Sequence, residues 1–383
     1  MLIPLADVPR WYAERKPANT IAIGHGRDTL TWEQLERNAN RRARAFAAKG
    51  VKPGDFVAIG LPNGNVFFET TFAVWKCGAT PTSLTWKLPR GEAAAVLDIL
   101  KPALVVGGQP DWNASNSVPA DFMPEGFSDG PLANPVARYW KAMTSGGSTG
   151  RPKVILDHTP AVIDTAAEPL LGIPQGASLL NPGPLYHNAP FIVSHIALFA
   201  GGRVTGMVRF DAEETLRLIE ANRVQWVNFV PTMMHRIWAL PDAVRNGYDL
   251  SSLRVVFHMA APMPSWLKEN GSTGWGLNAS TSFMVAPSDR VPPSFPVSNG
   301  WRIGGRSARS AKPRACGSSA RTATTSRQAK PARSISCPMT APAAPIIISA
   351  PSRSAAPTAG NRSATSEGWM PKAIFISATA SPT

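Results

Sequence analysis

The chain has 383 residues, 44% of them hydrophobic, and a formal net charge of +14. That is long enough for a large core, and the hydrophobic fraction is that of a globular protein. The three cysteines, Cys77, Cys316 and Cys337, exclude a disulfide framework and have no metal-ligand spacing, which points to a reducing compartment and a cytoplasmic protein.

In chain order, the start "MLIPLADVPRWYAERKP" lacks the basic-then-apolar pattern of a signal peptide, and no later run is long enough to span a membrane. "TWEQLERNANRRARAFAAKG" predicts a helix: Thr31 caps it, Gln34 completes a capping box, Leu35, Ala39, Ala43 and Phe46 recur at helical spacing, and Gly50 closes it. "DFVAIGLP" is a short buried strand, "FFETTFAVWKCG" an apolar helix, "EAAAVLDIL" a helix and "ALVVGG" a strand. Further on, Asp211 caps a helix over "FDAEETLRLIEANRV" with Glu214 answering it, and "QWVNFVPT" and "LRVVFHMAAP" are strands. Strands alternating with helices predict an α/β fold whose largely parallel sheet is covered on both faces.

After Asn270 this grammar stops. Residues 271–383 carry 13 Lys and Arg against 2 Asp and Glu, whereas residues 1–270 carry 26 against 23. The basicity therefore belongs to a low-complexity tail rich in Ser, Ala, Pro, Arg and Thr. Such a composition cannot bury enough apolar surface to offset about 1–2 kcal/mol of backbone ordering per residue. The tail is expected to be disordered or poorly packed.

The stretch with the most chemistry is "MTSGGSTGRPKVIL", residues 143–156. Backbone N–H groups bunched in a glycine-rich turn make an anion cradle, Ser and Thr hydroxyls add donors, and Lys153 adds a cation. Phosphate suits such a cradle. The spacing is not the common G-x-x-x-x-G-K-[ST] loop, because Arg151 and Pro152 follow Gly150. "GGSTG" also fits the G-x-S-x-G nucleophile elbow of serine hydrolases, with Ser148 as nucleophile; that fold needs a helix straight after the serine, whereas "KVILD" reads as extended. A non-enzymatic nucleic-acid binder using the basic tail is the other alternative.

The order of segments resembles the adenylate-forming superfamily, which includes acyl-CoA synthetases, luciferases and peptide-synthetase adenylation domains. "TSGGSTGRPKVI" resembles its signature loop, "LTWEQLERNANRRARAFAAKGVKPGDFVAIGLPNG" its N-terminal helix and strand, "NPGPLYHNAPF" its substrate-gate segment, and "FVPTMMHRI" and "LRVVFHMAAPMP" two later segments. The likeness covers roughly residues 10–270 and is nearest to the acyl-CoA ligase branch, among them ligases of fatty, bile or steroid acids. It implies a layered αβαβα N-terminal domain over residues 1–270. It implies ATP, Mg²⁺ and CoA as cofactors and a small carboxylic acid as substrate, with no specific nucleic-acid partner. By the same resemblance Thr144, Ser145, Gly146, Gly147, Ser148, Thr149, Gly150 and Lys153 hold phosphates, His187 gates the acyl carboxylate, and Ala260, Ala261 and Pro262 wall the adenine. The remaining histidines, His25, His158, His195, His235 and His258, show no partner spacing.

The family's later parts are absent from the printed chain: an aromatic-Gly-x-Thr-Glu segment, a Gly-Asp segment, and a C-terminal domain with a catalytic Lys. A reading frame displaced by one base just after Asn270 accounts for this. "GSTGWGLNASTSFMVAP" can be back-translated so that the neighbouring frame reads "WIDWLGPERIYELYGGT", with Glu permitted next, and the run from Pro357 permits "PDGWESLGDLGGLDAEGYLYLGD". The middle base of each restored codon is fixed by the printed residue, so the freedom is small. On this reading residues 271–383 are out of phase, the normal C-terminal domain is missing, and ligase activity is expected to be low or nil.

Overall fold

The computed structural model describes residues 1–122, 124–145, 152–167 and 170–258, with positions 264, 266–267, 270 and 347–349 beyond them. The chain opens with β1 (Leu2–Pro4), α1 (Val8–Ala13) and an antiparallel pair, β2 (Ile21–His25) and β3 (Asp28–Thr31). α2 (Trp32–Ala48) begins where the sequence places it. The Thr31 hydroxyl accepts from the Gln34 N–H at 3.2 Å and the Gln34 side chain accepts from the Thr31 N–H at 2.8 Å. Gly50, at φ +94°, takes the left-handed turn after the helix that a side chain would resist.

β4 (Phe56–Gly60), α3 (Asn65–Lys76), β5 (Thr80–Ser83), α4 (Arg90–Leu100), β6 (Leu104–Gly107) and β7 (Ser117–Val118) follow, then β8 (Lys141–Ser145), β9 (Lys153–Asp157) and β10 (Val162–Asp164). The second half of the described fold is β11 (Ser178–Asn181), α5 (Asn188–Phe199), β12 (Arg203–Gly206), α6 (Ala212–Ala221), β13 (Trp226–Phe229), α7 (Pro231–Trp238) and β14 (Val255–His258). Besides a two-stranded pair of β1 with β10, the strands form two large sheets, as the layered fold implied by the resemblance requires, where strand–helix alternation alone reads as a single sheet. One has seven strands, with β15 (Ile347–Ser349) at its edge, in the order β15-β9-β8-β5-β4-β6-β7; the other runs β14-β13-β11-β12-β2-β3.

Two corrections to the sequence reading concern local chemistry. Asp211 does cap α6, its carboxylate accepting from the Glu214 N–H at 2.9 Å, but the Glu214 carboxylate turns to the Arg217 guanidinium at 2.5 and 2.6 Å rather than closing a capping box. A charged partner one turn along outcompetes a neutral backbone N–H. The second lies in the tail, where Ile347–Ser349 form a strand antiparallel to β9. β-branched residues suit a pleated edge, and β9 would otherwise present unpaired backbone groups there. The rest of residues 271–383 lies outside the described residues.

Three buried clusters show the layering. α4 packs Ala93, Val96 and Leu100 on Ala58, Val105, Ala142, Val154 and Leu156 of the seven-stranded sheet. α6 and α7 pack Leu216, Ile219, Met234 and Ile237 on Leu180, Val227 and Val256 of the other sheet. Between the sheets lie α2, α3 and α5, whose Leu35, Phe46, Phe67, Phe72, Trp75 and Phe191 meet strand residues of both, such as Ile59, Val106, Leu179 and Trp226. The order α, β, α, β, α is the layered fold that the resemblance implies.

His195 sits in the middle layer with no exposed surface. The rings of Phe68, Phe72, Trp75, Phe191 and Phe199 surround it, with centroids 4.1–6.2 Å away. Its Nδ1–H donates to the Phe191 carbonyl at 2.7 Å, and Nε2 has no partner. A second proton would put an unpaired charge in a dry site, so burial pushes the imidazole pKa down from 6.5 to about 4. Below pH 6.5 the unfolded chain takes up a proton that the folded chain refuses. The stabilisation is therefore complete above pH 6.5 and is lost as pH falls toward about 4. Over that window we expect a loss on the order of 3 kcal/mol from this group. Urea unfolding at a series of pH values checks it: His195→Phe should flatten that part of the profile.

Candidate functional site

Within each sheet the central strands are parallel: β4 with β5 and β6, β5 with β8, β11 with β12 and β13, and β13 with β14. Their carboxyl ends therefore share one edge of each sheet, and ligands of open α/β sheets bind outside such ends. The site residues inferred from sequence fall along these edges.

The glycine-rich stretch spans a β-hairpin. β8 pairs with β9 in the register Lys141↔Asp157, Ala142↔Leu156, Met143↔Ile155, Thr144↔Val154 and Ser145↔Lys153. Ser145 and Lys153 thus face each other across the mouth of the loop, and Thr144 lies one step below. Thr144 and Lys153 are both half-buried. The backbone of Ser145 is described and its side chain is not; Gly146, Gly147, Ser148, Thr149 and Gly150 lie outside the described residues. β9 begins five residues after Ser148 and is a strand, not a helix. The strand–turn–helix of a hydrolase elbow is therefore not formed.

The hairpin is anchored at its other end by charge. Lys141 Nζ lies 3.2 Å from Asp157 Oδ2, with the lysine buried and the aspartate partly open. Burial lowers the Lys141 pKa, with the Asp157 carboxylate opposing the shift. Burial alone would raise the Asp157 carboxyl, but the Lys141 charge and a bond from the Thr159 N–H at 3.1 Å hold it below its ordinary value. Sequence reasoning missed this pair, whose one signal is that both residues flank the hairpin at equal distance from the loop.

His187 stands at the N-cap of α5, past the carboxyl end of β11. Its N–H donates to the Pro184 carbonyl at 3.0 Å and its carbonyl accepts from the Phe191 N–H at 3.1 Å. Tyr186 covers one side of the ring at a centroid distance of 4.6 Å, and the other side is open. Partial burial lowers its pKa, a small effect for a ring this open to water. β14 ends at His258, two residues before Ala260; Ala260, Ala261 and Pro262 lie outside the described residues. The hairpin and the gate segment belong to different sheets.

One residue that the sequence reading did not single out joins them. Asn63, after β4, donates through Nδ2 to the carbonyls of Gly183 at 3.0 Å and Met207 at 2.9 Å, and its Oδ1 accepts from the Leu185 N–H at 2.8 Å. It therefore ties the end of a strand in one sheet to two strand ends in the other. A polar residue directly after a buried strand, in "LPNGN", was the available signal. Among the described residues no three His, Cys, Asp or Glu side chains gather into a metal-binding group.

Comparison with known proteins bears on these features. The model of a family described as AMP-binding enzyme matches residues 9–127 and 142–290, running past Asn270. A feruloyl-CoA synthase from Amycolatopsis sp. is 32% identical over 277 residues, covering 66% of this chain and 53% of that protein. The long-chain-fatty-acid–CoA ligase FadD13 of Mycobacterium tuberculosis is 25% identical over 260 residues, covering 62% of this chain and 51% of that protein. The chain thus spans about half the length of the curated relatives it matches. Among solved structures, the inhibitor-bound N-terminal domain of FACL13 from M. tuberculosis aligns with a TM-score of 0.62 at 20% identity, covering 70% of this chain and 73% of that one. The o-succinylbenzoate CoA synthetase of Bacillus subtilis in complex with an acyl-adenylate intermediate aligns at 0.60 and 19% identity, covering 72% of this chain and 57% of that one. These two likenesses show the fold.

The Lys141–Asp157 pair gives a test of how the hairpin is held. Asp157→Ala leaves the lysine buried without its counter-charge. We expect a cost of about 1–3 kcal/mol, between an exposed and a fully buried pair, read as a lower urea midpoint. Replacing both partners, Lys141→Met with Asp157→Leu, should recover most of it.

Proposed function

The chain belongs to the AMP-binding enzyme family, and from that premise we propose that residues 1–270 are the nucleotide-binding half of an AMP-forming acid–thiol ligase. In such a ligase ATP and a carboxylate give an acyl-adenylate and pyrophosphate. The CoA thiol then attacks the adenylate carbonyl, and AMP leaves as the thioester forms. The acid is proposed only as a class, a small-molecule carboxylic acid, fatty and steroid acids included, and the compartment as the cytoplasm. No nucleic-acid partner is proposed.

One observation carries the reading: the β8–β9 hairpin opens its loop past the carboxyl end of a parallel strand, with Thr144 and Lys153 at its mouth. A hydroxyl, a cation and a glycine-rich backbone are the donor set that a polyphosphate needs. Thr144 and the loop through Gly150 would hold the terminal phosphates, and Lys153 would offset their charge. His187, at the start of α5, would sit beside the acyl carboxylate, and Ala260, Ala261 and Pro262 would let adenine approach the backbone. Mg²⁺ would enter with the phosphates and neutralise them. The contribution of this half is positioning and electrostatic stabilisation.

We further propose that the chain is out of phase from just after Asn270. The Thr-Glu and Gly-Asp segments that the neighbouring frame permits are those that the family places on phosphate, metal and ribose. Without them and the closing domain, the polypeptide keeps part of the nucleotide site and loses most of its rate.

Two measurements test this. Calorimetry should show ATP binding to the chain that weakens about tenfold or more in Lys153→Ala, as expected when a charged phosphate contact is removed. A gene restored to the neighbouring frame should form thioester from ATP, CoA and a panel of acids at least ~100-fold faster than the chain as it stands. Equal rates, or codons that do not encode the family segments one frame over, would refute the proposal.

A further inference from the structure

The described residues hold several candidates: the cavity beside Gly108 and Trp112, the acidic surface near Asp211 and Tyr248, the caged His195, and the Asn63 junction. Two of the three contacts of the Asn63 junction fall on residues 182–187, and the third fixes the end of β12 beside them.

We propose that Asn63 is a positioning residue that clamps the gate segment, residues 182–187, to the carboxyl strand ends of both sheets. The inference rests on reading that segment as the gate beside the acyl carboxylate. Its three bonds exhaust the side chain's strongest capacities: two donors go to the Gly183 and Met207 carbonyls, and the oxygen takes the Leu185 N–H. The orientation is also determined. With oxygen and nitrogen exchanged, the oxygen would face two carbonyls and the NH₂ an N–H.

The gate has little else to fix its course between β11 and α5. The Gly183 N–H donates to the Asn181 side chain at 3.1 Å, and a Cβ on Gly183 would lie 2.9 Å from Pro190 Cγ. The bare glycine therefore lets the segment press on the first turn of α5. Leu185 is buried, so its N–H must find a partner, and Asn63 supplies it. Two residues on, His187 begins α5. Removing the Asn63 amide frees the Leu185 N–H and the carbonyls of Gly183 and Met207. His187 is then held by its local bonds to Pro184 and Phe191 and by the Tyr186 ring.

Asn63 also precedes α3, whose Phe67 meets Phe191 of α5 edge-on at 6.2 Å. The amide and the aromatic pair are two successive ties between the same elements. The ring pair is buried and non-directional, whereas the amide sets register. A loss of the amide should therefore loosen the gate without unpacking the helices.

Hydrogen exchange on the full chain reads this out. In Asn63→Ala the Leu185 and His187 amides should exchange about tenfold faster or more, as expected when buried groups lose their partners, while amides within β2 and β3 keep their protection. The His187 imidazole, followed by NMR, should titrate closer to its ordinary value than in the parent chain. Equal acceleration at the gate and in β2–β3 would make Asn63 a residue of general stability, and no acceleration at the gate would show no clamp; either overturns the inference. Asn63→Ser serves if the alanine variant does not fold, and failure of both to fold also overturns it. AMP binding to the parent chain separates this from the functional reading. No AMP binding with the exchange contrast intact refutes the ligase assignment and supports the clamp; AMP binding with no contrast refutes the clamp alone.

Discussion

The structure depends on a middle layer of helices that must be apolar on every side. α3 lies between two sheets and buries ten of its twelve residues. An isolated amphipathic helix needs one apolar stripe; a helix with a sheet on each face needs more. Phe67, Phe68, Phe72 and Trp75 supply it, and Phe191 and Phe199 of α5 meet them. Each sheet buries one face on this layer, so disturbing it would expose both. His195 belongs to this layer and behaves there as an aromatic ring that must stay neutral.

Charge inside the same layer is handled by pairing. Glu69 of α3 receives the Arg42 Nε–H at 2.9 Å and the Asn38 amide at 2.8 Å, while Arg42 also donates to the Phe122 carbonyl at 2.7 Å. Lys76 reaches Glu36 at 2.9 Å with its own charge fully covered. Burial lowers the Lys76 pKa, and the Glu36 carboxylate opposes the shift. Buried pairs of this kind contribute little net stability over an apolar replacement, but a missing partner is costly. Their effect is to fix one register between α2 and α3, because sliding either helix by a turn would leave charges unpaired.

Where the sequence was legible, a local period or a cap carried the information. The capping box at Thr31 and Gln34, the alternation through β4, α3, α4 and β6, and the cap at Asp211 are all patterns within about ten residues. The strand after the glycine-rich loop was legible for the same reason, since Lys153 and the apolar residues after it spell a strand, whereas its partner β8 before the loop was not. The division into two large sheets was not legible in local patterning and came only through the family resemblance, because it depends on which strands pair across more than a hundred residues, as β2 does with β12. Asn63 and the Lys141–Asp157 pair were missed on the same ground. Their partners are chosen by topology, and a lone Asn, Lys or Asp in sequence is most often a solvated side chain.

The same topology separates stability from chemistry in this chain. Among the described residues the five layers are built mostly before Ala260: α4 covers one sheet, α6 and α7 cover the other, and the middle helices fill the space between, with Leu267 and β15 as the later contributors. Among the described residues after Asn270, only Ile347–Ser349 joins a sheet, as an edge strand. On the proposed reading the ligase site is divided between the two parts: the hairpin and gate come from the first, and the family's Thr-Glu, Gly-Asp and lysine contacts from the second. A slip of phase at the boundary would then remove binding energy at the transition state. On that reading the charge of residues 271–383 is a by-product of which codons the shifted frame creates, and no acidic partner is needed to account for it.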